Sequence, residues 1–380
     1  MSPFSRSPAL TSSILSRRAN VLFLSGLLLL LLGYVVWPFL RVVSLGSNIN
    51  TLITLFSSFS SANSRALFNS VWISIWSVVG AGILGTAMAY LLFRFDFPLK
   101  KLLVALAVLP LALPPLVGVL AFLFLYGESG ILPRGIQVLL GLNSVPFSFS
   151  GMWAVWLVHV YSMYVFYYLF CSAAVKTVDR SLLEAASDLG ASSLRTFRTV
   201  ILSHLRPSIV SASLLVFMIS MASFTAPLFF AGTKNFLRLQ IYHYNMNWNM
   251  ELSATISVVL TLSCLLFLVL MELNRRASGV ATASNGSAPS PIPVRSGIVR
   301  MLALVSVLAI LLFLALPILT IVLISFVKEG SWTYQVLPQA YTMENYINLI
   351  SQSDVAAPML NSLKMASLAT SANIDRKSVV

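Results

Sequence analysis

The longest charged segment between the hydrophobic runs of this chain is Ser181-Leu-Leu-Glu-Ala-Ala-Ser-Asp-Leu-Gly-Ala-Ser-Ser-Leu-Arg-Thr-Phe-Arg-Thr-Val-Ile-Leu-Ser-His-Leu-Arg-Pro207. Ser181 and Glu184 have capping-box spacing, which predicts a helix start at Ser181. Leu182, Leu183, Ala186 and Leu189 then share one face, while Glu184 and Asp188 share another. Gly190 predicts the stop of that helix. Ser192 or Ser193 is placed to cap a second helix, with Leu194, Phe197, Ile201 and Leu205 on one side and Arg195 and Arg198 elsewhere. Pro207 is expected to close the segment and open the next apolar run. The chemistry of two amphipathic helices joined at a glycine is recognition. The rival is a hairpin lying on the lipid interface.

Bond-making chemistry has no such footing. The sequence holds no G-x-x-x-x-G-K-[ST] loop, no HExxH, no CxxC and no calcium-binding loop pattern. Three dispersed histidines, His159, His204 and His243, support no nucleophilic triad. Cys171 and Cys264 lie far apart in or beside apolar runs and read as isolated membrane-helix cysteines. The expectation is a chain with no catalytic site and no cofactor or metal of its own.

The elements that must position the hairpin are hydrophobic. Of 380 residues, 58% are hydrophobic and 9% charged, which excludes an ordinary soluble domain. The fold class expected is all-α, a polytopic membrane helical bundle. Spans are predicted at residues 21–40, 67–92, 102–126, 152–174, 207–230 and 252–271, with a seventh at about 298–327. Residues 127–150 and 231–251 are read as loops. A signal peptide is the rival for the first span, but its apolar run is too long and ends Trp-Pro-Phe-Leu-Arg. The third span carries Pro110, Pro114 and Pro115, so it is kinked or broken. Pro114 and Pro115 there, with Ser220, Ser223 and Thr225 on the fifth span, are candidates to line a pathway.

The first six spans contain no Asp, Glu, Lys or Arg, and His159 is their one titratable group of these kinds. A lone histidine there reads as a hydrogen-bond partner between helices. Ion-coupled carriers need intramembrane ionisable groups, so a proton-driven carrier is disfavoured, though sodium sites built of carbonyls and hydroxyls are not excluded. Energy would then enter from a cytoplasmic partner. Counting Lys and Arg with the N-terminus inside puts fifteen on the inner side and five in the outer loops among the first six spans. That bias orients the chain and puts residues 181–207 in the cytoplasm. The net charge of +13 is accounted for in this way and calls for no nucleic acid.

An internal repeat is also legible. Leu67-Phe-Asn-Ser-Val-Trp-Ile-Ser74 is echoed by Met359-Leu-Asn-Ser-Leu-Lys-Met-Ala-Ser367, each after a proline-containing span (Pro38, Pro317) and a polar outer loop. The second copy reads Asn373-Ile-Asp-Arg-Lys-Ser-Val-Val380 where the first continues apolar to Leu92. The sequence therefore reads as a truncated or frameshifted product of a two-copy protein; six spans with an appended anchor are the rival.

Glu184-Ala-Ala-x-x-x-Gly190, with Leu202 and Leu205-Arg-Pro207, resembles the "EAA" cytoplasmic loop of the permease subunits of binding-protein-dependent ABC importers. Ser223-Phe-Thr-Ala-Pro227 with Gln240-Ile-Tyr242, and Leu125-Tyr-Gly-Glu-Ser-Gly130, resemble the branch that handles ferric iron, with thiamine and phosphonate relatives. Ser203 stands where the family usually has proline. The resemblance implies a MetI-like, type I importer transmembrane domain plus the start of a second copy. Its organisation would be a cytoplasmic tail (1–20), a six-helix permease domain (21–273) with the coupling loop at 176–207, a flexible linker (274–297) and an incomplete repeat (298–380). It implies a bacterial inner-membrane subunit with three partners: a cytoplasmic ABC ATPase, a periplasmic solute-binding protein and the lipid bilayer. Glu184, Ala185, Ala186, Leu189, Gly190, Leu202, Arg206 and Pro207 would couple the chain to the ATPase. Leu182, Leu183, Ala186 and Leu189 would be buried against it, with Glu184 at the rim. The alternatives are a secondary carrier and an inactive membrane remnant.

Overall fold

The structure, a computed structural model, describes residues 21–95, 100–277, 297–332 and 335–374. The expected N-terminal tail and nearly all of the expected linker lie outside the described residues. Among the described residues sixteen α-helices follow one another: α1 (Val21–Gly46), α2 (Ile49–Phe56), α3 (Ala62–Arg94), α4 (Lys100–Val108), α5 (Pro115–Tyr126), α6 (Ile131–Leu139), α7 (Met152–Val175), α8 (Arg180–Asp188), α9 (Ser193–Thr196), α10 (Leu202–Met221), α11 (Thr225–Phe230), α12 (Leu237–Met246), α13 (Met250–Ala277), α14 (Gly297–Ser325), α15 (Glu344–Ser351) and α16 (Ser353–Ile374). Among the described residues no strand forms, and an isolated bridge joins Val327 and Tyr341. Among the described residues seven helical stretches are long and apolar enough to cross a membrane, and a helix suits that setting because its backbone groups satisfy one another.

Three expectations are corrected, and one that was left open is decided. The third span, expected to be kinked or broken, is broken: α4 passes into a tight 3-10 turn, Leu109–Ala112, and stops before α5 starts at Pro115. The loop expected over residues 127–150 contains α6, and the polar loop before the sixth span contains α12. The fifth span does not begin at Pro207, which lies inside α10; that helix ends at Met221, and α11 follows after a break. The proline removes one rung, but intact rungs on either side carry the helix through.

The chain divides into two compact units. The first comprises Met1–Val78, Ser213–Leu228 and Thr233–Ala281. Here α1 lies against α13 so closely that a Cβ on Gly46 would stand 2.6 Å from the Ala254 backbone. Ala66, Phe217, Met221, Leu237 and Ile256 form its core. Polar side chains join the helices: Asn63 Nδ2 donates to the Tyr244 hydroxyl at 3.2 Å, and the Ser74 and Ser220 hydroxyls are 2.9 Å apart. Lipid tails are as apolar as leucine, so close packing and such bonds hold membrane helices together where hydrophobicity cannot.

The second unit comprises Val79–Ala212, Phe229–Gly232 and Thr282–Val380, with α7 as its most buried helix. The later part of α3 meets α7 through glycines; a Cβ on Gly85 would stand 2.3 Å from the Tyr164 carbonyl oxygen. The tyrosines of α7 combine ring packing with a polar tip. Tyr164 donates to the Ala107 carbonyl at 2.5 Å, and Tyr161 to the Leu314 carbonyl at 3.1 Å. In a 3-10 turn the donor to the Ala107 carbonyl would be residue 110, a proline without N–H. The Tyr164 hydroxyl supplies that bond. His159 is buried on the same helix.

Candidate functional site

The expected coupling loop begins where α7 ends. Thr177 N–H bonds back to the Ala174 carbonyl at 3.0 Å, and its hydroxyl lies 3.0 Å from His204 Nε2. Val178 is buried and anchors the turn. The cap of α8 is Asp179, whose carboxylate accepts from Ser181 N–H at 2.9 Å. The capping-box expectation at Ser181 is therefore corrected: Ser181 already lies inside the first turn. The better signal was an Asp standing two residues earlier, since a carboxylate accepts backbone N–H at a helix start and favours its positive end.

The end of α8 is as expected. Gly190 adopts φ +73°, and its N–H reaches the Ser187 carbonyl at 2.9 Å while Ala191 N–H reaches the Ala186 carbonyl at 2.9 Å. These are the two bonds of a Schellman turn. Ser192 then caps α9, its hydroxyl accepting from Arg195 N–H at 3.4 Å. Between α9 and α10 the backbone widens into a π turn, Phe197–Ile201, closed by Leu202 N–H on the Phe197 carbonyl. The Phe197 ring packs tilted against Tyr90, their centroids 4.5 Å apart. Ile201 and Leu205 are buried, so the second helix is held by one side.

The structure brings Glu184, Ala185, Ala186, Leu189 and Gly190 together on α8 and its terminal turn. Leu202, Arg206 and Pro207 lie on α10 instead. The apolar face of α8 is turned outward: Leu182 is 51% and Leu189 88% exposed, while Leu183 and Ala186 are half-buried. Beside it an open depression of about 490 Å³ is lined by Ser192, Leu194, Arg195, Arg198 and Thr199. Periodicity alone could not say whether that leucine face is covered. In the fold it is not.

The five pathway candidates are divided between the two units. Pro114 and Pro115 are exposed at the break before α5, in the second unit. Ser220 is buried beside Ser74, Ser223 follows the end of α10, and Thr225 opens α11, all in the first unit. Among the described residues no cluster of three or more His, Cys, Asp or Glu could hold a metal.

Long apolar helices with an amphipathic helix exposed in one loop define a multi-pass membrane protein. Residues 81–278, just over half of the chain, match the family described as binding-protein-dependent transport system inner membrane component, and the chain belongs to that family. It is 29% identical over 314 residues to a probable ABC transporter permease protein, y4fN, of Sinorhizobium fredii, covering 81% of this chain and 54% of the relative. It is 31% identical over 180 residues to a putative 2-aminoethylphosphonate transport system permease protein, PhnU, of Salmonella choleraesuis, covering 47% of this chain and 63% of the relative. The chain thus spans roughly half to two thirds of the length of these relatives. In fold it is similar to a chain of a bacterial alginate ABC transporter solved with an alginate pentasaccharide-bound periplasmic protein. That match has a TM-score of 0.58 at 14% identity and covers 71% of this chain and 99% of the other.

Proposed function

We propose that this chain is the membrane-crossing permease subunit of an ATP-driven importer, with α8 as the element that receives force from a separate cytoplasmic ATPase. One observation carries the reading: a helix capped at both ends presents an uncovered leucine face with Glu184 on its exposed surface. A helix nine residues long has little stability of its own in water, so its caps and a docked partner must hold it. Glu184 to Gly190 would seat in a cleft of the ATPase, and closure of the nucleotide-binding dimer would shift the spans between inward- and outward-facing states. The N-terminus and this loop are assigned to the cytoplasm by the Lys and Arg bias. A periplasmic binding protein would deliver the solute.

Ferric iron is the solute suggested by the Ser223-Phe-Thr-Ala-Pro227 resemblance, and the likeness to PhnU adds aminoethylphosphonate to the panel. The coupling test is ATP hydrolysis by the ATPase reconstituted with this chain in liposomes. Glu184→Lys and Gly190→Asp should each lower the stimulation; wild-type stimulation in both variants overturns the docking role. Binding of the panel to the periplasmic protein of the same system decides the solute, and failure of iron to bind removes that assignment.

A further inference from the structure

In the first copy of the repeat, α3 grips a piece of main chain far along the sequence. Asn69 Nδ2 donates to the Asn235 carbonyl at 2.9 Å, and Leu237 N–H donates to the Ser70 hydroxyl at 2.9 Å. Leu237 opens α12, so its N–H has no partner within that helix. Phe236 before it is extended, at φ −133° and ψ 147°. Ser70, Phe236 and Leu237 are buried, where an unmet backbone group is costly. Asn69 and Ser70 form a two-bond clip that holds the entry of α12 on α3.

The order of elements then recurs. Helix α1 with Pro38, the eight-residue α2 and α3 are echoed by α14 with Pro317, the eight-residue α15 and α16. Asn361 and Ser362 of α16 stand where Asn69 and Ser70 stand on α3. Both are exposed, and so are Met359, Leu360, Leu363 and Met365 around them. The Ser362 hydroxyl donates to the Pro358 carbonyl at 2.9 Å, which leaves its oxygen able to accept.

We propose that Asn361 and Ser362 form a second clip whose occupant is the extended entry to a helix like Asn235–Leu237, presented by a second permease half. The chain's own Asn235–Leu237 segment is already held by Asn69 and Ser70, so it is not free to fill the second clip. The relative from S. fredii, of which this chain spans 54%, has the length for such a half. The inference rests on the repeat and the clip geometry and stands apart from the coupling role of α8.

The test uses two full-length copies in one membrane. The receiving copy carries a photo-crosslinking residue at Leu363. The donating copy carries Asn69→Ala and Ser70→Ala, which frees its own Asn235–Leu237 segment. The adduct should map by mass spectrometry to donor residues 233–240. Two bonds of ordinary net strength predict a yield about thirtyfold above that with a wild-type donor, and a similar fall when the receiver carries Asn361→Ala and Ser362→Ala. A donor with Ser70→Ala alone, checked for monodisperse elution in detergent, should give an intermediate yield and guards against misfolding of the double variant. Equal yields with wild-type and freed donors, an adduct elsewhere on the donor, or lipid adducts alone overturn the proposal.

Discussion

Gly190→Ala should loosen the turn that ends α8 without creating any clash. A Cβ at this position would meet nothing within 4 Å, so the cost is conformational and not steric. An L-residue in the left-handed region costs about 1–2 kcal/mol. Against that stand the two bonds of the turn, from Gly190 to Ser187 and from Ala191 to Ala186. At a net ~1 kcal/mol each they favour the closed turn by about 2 kcal/mol, or roughly thirtyfold. Alanine, at about 1 kcal/mol, lowers that ratio about fivefold and leaves most molecules closed; valine, at about 2 kcal/mol, brings the turn near half-open. Asparagine, which tolerates the left-handed region, should fall between glycine and alanine. Hydrogen exchange at the Ala191 amide reads the opening directly, because its bond exists only in the closed turn. The same rank order, Gly, Asn, Ala, Val, should appear in stimulated ATP hydrolysis. Exchange in the alanine variant equal to that of wild type, or an asparagine variant looser than alanine, refutes the reasoning.

Three further outcomes follow from the contacts of α8, α3 and α7. Asp179→Ala should cost the start of α8 about 1 kcal/mol and speed exchange of its first-turn amides, whereas Ser181→Ala should stay within about 0.5 kcal/mol, because Asp179 holds the cap. Gly85→Ala should destabilise the protein by about 1–3 kcal/mol or more, read as a lower midpoint for thermal loss of monodisperse protein in detergent. Gly118→Ala, where a Cβ meets nothing within 4 Å, should not. Tyr164→Phe should lower the same midpoint by the equivalent of about 1–2 kcal/mol, because the Ala107 carbonyl loses its hydroxyl donor beside a proline.

The legible parts of this protein were those written in local pattern. Runs of apolar residues about twenty long announce spans whatever they pack against, and Gly190 announces a helix end because a left-handed residue is needed there. Both appear in the fold. The breaks were harder. Pro110, Pro114 and Pro115 signal a disturbance, but they do not say whether the helix bends or stops. Pro207 signalled an end and became a helix interior. The stretch around Tyr242 looked like a polar loop because its alternation is weak. It folds as α12 because Leu237 and Leu239 find buried places and Ser70 meets the first orphan N–H.

By itself, then, the sequence determined an all-α membrane chain, most of its spans, a repeat, and a charged hairpin with a glycine stop. Each depends on hydropathy, spacing or intrinsic backbone preference, which residues carry with them. Tertiary structure alone decided which carbonyl Tyr164 completes, that Ser220 is met by Ser74, that Asn69 and Ser70 clip a segment more than 160 residues away, and that the leucine face of α8 stays uncovered. Those are pairings between distant groups, set by where helices cross. No local pattern records them, since a buried polar group can be satisfied by any donor that the fold brings within reach.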